Sequence, residues 1–108
     1  MTEFLYANAF QRTVGWVTAF ELDALRCSRV AIAGMGGVGG VHLTTLARLG
    51  VGAFQIADMD VFELHNMNRQ AGASVSQLGR AKVKVMREMA CDINPDLEIQ
   101  SFPDGVHA

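Results

Sequence analysis

Arg29-Val30-Ala31-Ile32-Ala33-Gly34-Met35-Gly36-Gly37-Val38-Gly39 is an apolar run that gives way at once to glycine. A short run without alternating polarity suits a strand buried on both faces, as in a parallel sheet. The glycines fit G-x-G-x-x-G. Gly34 permits a tight turn off the strand, Gly36 lets the backbone approach a phosphate with no Cβ in the way, and Gly39 lets the next helix pack close to the sheet. Gly37 lies between them and keeps the stretch small. Beyond the turn, Val38, Val41, Leu43, Leu46, Ala47 and Leu49 recur at helical spacing, and Gly50 and Gly52 stop the helix. The free N–H groups and positive dipole end of such a helix attract an anion. Strand, glycine turn and helix in that order point to a nucleotide-binding unit.

Downstream, Ala53-Phe54-Gln55-Ile56-Ala57 reads as a second strand ending at Asp58. Asp58 lies twenty-four residues after Gly34, close to the spacing at which an acidic side chain reaches ribose hydroxyls. Residues 60–76 form a long connection rich in Asn, Gln and Gly. A second helix is predicted over Gly79–Ile93, with Val83, Met86, Met89, Ala90 and Ile93 on one stripe. Asn94-Pro95 ends it, and Leu97 to Phe102 alternates as a third strand. Right-handed crossovers make this β-α-β-α-β order a Rossmann-like α/β fold: a parallel sheet of order 3-2-1, the first half of a doubly wound fold.

Upstream, residues 1–15 show no period and are predicted to wrap across the surface. Thr18-x-x-Glu21 is a capping box opening a short helix through about Leu25, with Phe20 and Leu25 as apolar contacts. Residues 1–28 are thus an N-terminal arm and helix, and residues 29–108 the nucleotide-binding unit. The chain supplies no strand for the other side of the first strand, and a bare hydrophobic edge invites aggregation. The reading is therefore the N-terminal part of a longer domain, or one whose edge another chain covers.

Of the 108 residues, 50% are hydrophobic and 19% charged, with a formal net charge of -2. That balance argues against a general nucleic-acid binder. No apolar run is long enough for a membrane span, and the first residues lack the order of a signal peptide, so a cytoplasmic protein with no membrane partner is expected. Cys27 and Cys91 form no CxxC pair, which gives neither a metal site nor a disulfide framework. Both are read as small core residues. Charge is segregated: from Arg69 to Arg87 there are five basic residues and no acid, and from Glu88 to Asp104 five acids and no Lys or Arg.

To this point a nicotinamide-dependent enzyme fits equally well. The second connection separates the two readings. A dinucleotide needs little cationic help beyond the helix N-terminus, whereas a reacting triphosphate needs charge to stabilise leaving pyrophosphate. Arg69, and Lys82 thirteen residues on, supply a fork and a point charge suited to that work. Asp60, a second carboxylate near the phosphates, is placed to act on Mg²⁺ or to position the loop. Lys84 and Arg87 are read as a solvated helix face, Met86 and Met89 as core, and His42 and His65 are given no role.

Gly-x-Gly-Gly-x-Gly at 34–39, Asp58-Met59-Asp60, Asn66-Met67-Asn68-Arg69-Gln70 and the downstream Lys82 together resemble the ThiF/MoeB/HesA family, which includes the adenylation domains of ubiquitin-activating enzymes. The resemblance runs from about Arg12 to about Phe102. It implies ATP and Mg²⁺ as cofactors and attack of a substrate carboxylate on the α-phosphate, giving an acyl adenylate and pyrophosphate. The substrate it implies is the C-terminus of a ubiquitin-like or sulfur-carrier protein, or another protein or peptide carboxylate. By position, Gly34, Gly36 and Gly39 would form the nucleotide loop, and Asp58 would bind ribose. Asn66 and Arg69 would contact phosphates, Gln70 would order the loop, and Lys82 would stabilise transition-state charge. Arg12 resembles an N-terminal arginine that reaches ATP in the neighbouring subunit of a homodimer. Its setting, Arg12-x-x-Gly15-Trp16, looks like a ThiF-type subgroup.

The family's second nucleotide aspartate, its CxxC zinc pairs and its acceptor cysteine would lie beyond the third strand, and neither Cys27 nor Cys91 matches the acceptor. These residues are therefore not expected to catalyse alone. The alternatives are an NAD(P)-binding module of a dehydrogenase and an inactive dimerising scaffold of the same family.

Overall fold

The computed structural model describes residues 2–105. The order is α1 (Tyr6–Ala9), α2 (Ala19–Arg26), β1 (Arg29–Ala33), α3 (Gly39–Leu49), β2 (Ala53–Ala57), α4 (Lys82–Ile93) and β3 (Glu98–Phe102). The strands form one parallel sheet in the order β1-β2-β3, so the expected α/β arrangement is observed. Ala31 stands opposite Gln55, and Gln55 opposite Gln100.

Both long helices pack on one face of the sheet. Val30, Ile32, Phe54, Ile56 and Ile99 meet Leu43 and Ala47 of α3 and Val83, Met86 and Ala90 of α4. Burying each of the larger side chains contributes about 1.5–3 kcal/mol. Gly50 ends α3 in the left-handed conformation at φ +106°, where glycine carries no Cβ penalty. The buried Tyr6 hydroxyl donates to the Gly50 carbonyl at 2.6 Å, so α1 ties the N-terminal arm to the end of α3. Burial pushes the Tyr6 hydroxyl pKa up, and the Arg26 guanidinium over its ring opposes that shift.

Several expectations are corrected. β1 is the expected edge strand of the described residues, but it is covered on one face only: Arg29, Ala31 and Ala33 point to a face that no helix of these residues covers. On that face Arg29 reaches Glu98 at 2.8 Å, across the small Ala53 between them. The apolar composition of residues 30–33 concealed this, because alanine reads as hydrophobic yet fits an open face.

Val38 and Val41 lie outside the buried stripe of α3, Val38 being 69% exposed. Phe20 is 82% exposed, because α2 turns Leu22 and Leu25 inward instead. The capping box of α2 is formed, with the Glu21 N–H donating to Thr18 Oγ1 at 3.1 Å and the Thr18 N–H to Glu21 Oε1 at 2.9 Å. Cys27 is exposed at the end of α2 and Cys91 half-buried on the flank of α4, so neither is a core residue.

α4 starts at Lys82, three residues later than predicted. Gly79 adopts φ +83°, and residues 79–82 pair with the start of the second connection: Gly79 N–H with Phe62 O, Phe62 N–H with Arg80 O, and Lys82 N–H with Asp60 O. No helix among the described residues is long and apolar enough to cross a membrane.

Candidate functional site

The glycine turn sits where β1 ends and α3 begins. Gly34 takes φ +92°, and its N–H donates to Ala57 O at 2.6 Å, fastening the turn to the end of β2. At Gly39 there is no room for a side chain: a Cβ would overlap the Gly34 carbonyl oxygen. Val38 occupies the N-cap of α3, no side chain caps it, and the first turn contains no acid. An uncapped helix start with its dipole uncompensated favours an anion.

The end of β2 and the second connection close around this turn. The Asp58 carboxylate accepts two backbone hydrogen bonds, from Met35 N–H to Oδ2 at 2.7 Å and from Asp60 N–H to Oδ1 at 2.8 Å. Asn66, only 3% exposed, accepts from Glu63 N–H at 2.8 Å and shapes a short 3₁₀ turn over Leu64–Asn66. That turn delivers the next residues to the glycines. Arg69 lies against Gly37, its Cγ 3.8 Å from where a Cβ would stand, and Gln70 lies against Gly36, its Nε2 at 3.5 Å. The Arg69 guanidinium is exposed and donates from Nη1 to His65 O and to Asn68 Oδ1, each at 3.0 Å. Gln70 is buried, and its Oε1 has no hydrogen-bond partner. An orphaned buried acceptor is costly, by about 1–3 kcal/mol, and marks a place where a further donor is expected.

Lys82 is the first residue of α4 and only 7% exposed. Its ammonium stands 5.7 Å from the centre of the Phe62 ring, and it forms no ion pair among the described residues. It lines a cavity of about 330 Å³ with Asp60, Glu63, His65 and Asn66. No acid lies in the first turn of α4, where Lys84 adds a second positive charge. The Lys82 stem is buried and its ammonium opens onto this cavity, where Asp60 and Glu63 also lie, while the start of α4 disfavours a positive charge.

The structure thus brings Arg69 and Gln70 onto the glycine turn, links Asp58 to both the turn and Asp60, and gathers Asp60, Asn66 and Lys82 in one adjoining cavity. Arg12 is apart, exposed in a 3₁₀ turn over Gln11–Thr13 that packs against α1. No group of three or more His, Cys, Asp or Glu among the described residues could hold a metal ion unaided.

Two features escaped the sequence reading. Asp58 was taken for a ribose ligand, with no sign that it grips backbone. Arg80 was counted within a basic run, yet it makes a bidentate pair with Glu88 at 2.7 and 2.9 Å and a hydrogen bond to Gln77 Oε1 at 2.6 Å. The pair pins the segment leading into Lys82 onto α4. The hydrogen bonds lower the Glu88 pKa and raise that of Arg80. Opposite charges eight residues apart are the signal that could have revealed it.

Residues 10–108 match the family described as ThiF. The chain belongs to the ThiF family. Among its ThiF relatives, the tRNA threonylcarbamoyladenosine dehydratase of Bacillus subtilis is 42% identical over 78 residues, covering 72% of this chain and 31% of that protein. Ubiquitin-like modifier-activating enzyme 5 of Arabidopsis thaliana is 39% identical over 94 residues, covering 87% of this chain and 21% of that protein. Among solved structures, the Escherichia coli tRNA N6-threonylcarbamoyladenosine dehydratase TcdA in complex with ATP superposes with a TM-score of 0.90 at 33% identity, covering 93% of this chain and 41% of that chain. The chain therefore spans about a third of the length of the curated dehydratases it matches.

Proposed function

We propose that this chain forms the ATP-binding part of a ThiF-family adenylyltransferase that activates a carboxylate. The observation that carries the reading is the seat of Arg69 and Gln70 on the glycine turn, with Lys82, which has no ion pair among the described residues, in the cavity that also holds Asp60 and Asn66. A triphosphate offers the two cations a negative partner, and its β- and γ-phosphates are what a fork and a point charge recognise. A carboxylate oxygen attacks the α-phosphorus, the bond from that phosphorus to the bridging oxygen breaks, and pyrophosphate departs with the electron pair. Arg69 and Lys82 stabilise the charge that builds on the departing group. Asp58 holds the ribose, Asn66 contacts phosphate, and Gln70 keeps the loop seated on the turn. Mg²⁺, when bound, neutralises phosphate charge, and Asp60 is the carboxylate available to it.

The relative in complex with ATP, 33% identical to this chain, supports the choice of nucleotide. Against an NAD(P) module stand the two cations, which a dinucleotide does not require. Against an inactive scaffold stands the complete Gly–Asp–Arg–Lys set. Protection of the full protein from proteolysis by ATP·Mg but not by NAD, together with ATP–pyrophosphate exchange, tests the reading. Protection by NAD alone would overturn it, and so would stable pairing with a relative and no nucleotide binding.

For the acyl substrate, the net charge of -2 and the likeness to ubiquitin-like modifier-activating enzyme 5 favour a protein C-terminus. A carboxylate carried on a tRNA nucleoside is the second reading, favoured by the 42% identity to a tRNA threonylcarbamoyladenosine dehydratase. Stimulation of exchange by a protein C-terminal peptide or by threonylcarbamoylated tRNA separates the two. Arg12 is proposed to complete the site of a neighbouring subunit in a homodimer, so Arg12→Ala mixed with an Arg69→Ala protein should restore part of the exchange.

A further inference from the structure

Asp58 does more in this structure than wait for a ribose. Its two oxygens hold two separate backbone segments, Met35 in the glycine turn and Asp60 in the second connection, at 2.7 and 2.8 Å. Those distances belong to charge-assisted hydrogen bonds, which are about twice as strong as neutral ones. The segment they hold needs such help. Gly34, Gly36, Gly37 and Gly39 fall within six residues, and glycine backbone loses more freedom on ordering than any other residue's.

We propose that Asp58 is a positioning residue for the phosphate-binding turn in addition to its ribose role, fixing the backbone of residues 35–37 before nucleotide arrives. The proposal rests on the nucleotide reading above for what the turn binds. Three restraints then define the turn. Gly34 N–H is tied to Ala57 O, Met35 N–H is tied to Asp58, and Gly39 is pressed on the Gly34 carbonyl. The first two originate at the end of β2, so the second strand, together with the first from which the turn leaves, sets where the phosphates sit. The two roles are compatible, because an ionised carboxylate offers about four acceptor positions and the clamp uses two. An asparagine at 58 cannot keep the clamp: whichever way its amide turns, one of the two backbone N–H groups faces an NH₂ group.

The test uses Asp58→Asn in the full protein and a ligand without a ribose. Inorganic tripolyphosphate and ATP are titrated by calorimetry into wild type and variant, and amide hydrogen exchange is followed at Met35. Tripolyphosphate affinity is expected to fall about tenfold in the variant, the share of one charged hydrogen bond, and Met35 to exchange at least about tenfold faster while β2 amides stay protected. Tripolyphosphate binding and Met35 protection unchanged in the variant, with only ATP weakened, would reduce Asp58 to a ribose ligand and overturn the proposal. Unprotected Met35 exchange in wild type overturns it whether or not the variant folds. If wild type binds neither ligand, the nucleotide reading falls, and the Met35 rates alone decide the clamp.

Discussion

Replacing Lys82 by Met should make the protein more stable and less active at once. The Lys82 stem is buried, while its ammonium makes no hydrogen bond or ion pair among the described residues, opens onto the cavity it shares with Asp60 and Glu63, and sits at the first position of α4 with Lys84 close behind. Because the ammonium keeps contact with water, its desolvation is partial, on the order of 1–2 kcal/mol where a fully enclosed ion would cost several. The Phe62 ring returns about 0.5–2 kcal/mol through its π-face. A positive charge at the start of a helix costs roughly a further 0.3–1 kcal/mol. Methionine has a similar unbranched reach, fills the same channel beside Phe62 and carries neither penalty. The net expectation is a gain of no more than about 1 kcal/mol, which raises Tm by roughly 2–4 °C in a domain of 150–250 residues. Calorimetric or urea unfolding without nucleotide measures that gain. Exchange of labelled pyrophosphate into ATP, on the same preparation, should drop by at least about a hundredfold, the loss usual for one electrostatic donor to a developing charge. A variant that loses more than about 1 kcal/mol and still exchanges like wild type would make Lys82 a structural residue and refute the argument.

Arg69→Ala removes an exposed guanidinium, so unfolding free energy should stay within about 0.5 kcal/mol of wild type while exchange falls strongly; unchanged exchange would exclude Arg69 from the phosphate site. Gly39→Ala, in a helix where alanine is normally favoured by about 1 kcal/mol, should instead cost roughly 3 kcal/mol, because the new methyl meets the Gly34 carbonyl. Gly37→Ala is the control: its Cβ meets only the flexible Arg69 side chain at 3.8 Å or beyond and the Arg69 carbonyl at 3.9 Å, so it should weaken tripolyphosphate binding more than it weakens the fold. Glu88→Gln tests the Arg80 pair through pH. The Arg80 hydrogen bond lowers the Glu88 pKa in the fold, so its stabilisation is complete above the unfolded-state pKa and is lost as pH falls through the folded one. Urea midpoints followed from neutral pH into the carboxylate range should therefore decline less steeply in the variant, and parallel declines would remove the pair from the acid sensitivity.

What could be read from the residues was local. The run Arg29–Ala33, the glycines after it and the periodicity up to Leu49 each constrain their immediate neighbours, so β1, the turn and α3 were placed by steric rules alone. The grouping of Arg69 and Gln70 with the glycines was legible only through family resemblance, since no periodicity announces that residues 32 and 34 positions apart will touch. What failed was non-local. The start of α4 depends on pairing between residues 60–62 and 79–82, and helix propensity in Gly79–Ala81 says nothing of that partner. Burial of β1 was overestimated because alanine scores as apolar on either side of a sheet. Cysteine reads as a small core residue, although the place of Cys27 at the end of α2, between Arg26 and Ser28, leaves it in solvent. The Asp58 clamp was invisible because backbone N–H groups carry no letter in a sequence.

The close seat of Gly39 on the Gly34 carbonyl carries an evolutionary corollary. A position with no room for a Cβ is mutationally frozen, so descendants of this scaffold keep glycine at 39 and with it the path of the chain into α3. Divergence is channelled into the second connection, where Asp60, Asn66, Arg69 and Gln70 can be exchanged on an unaltered cradle.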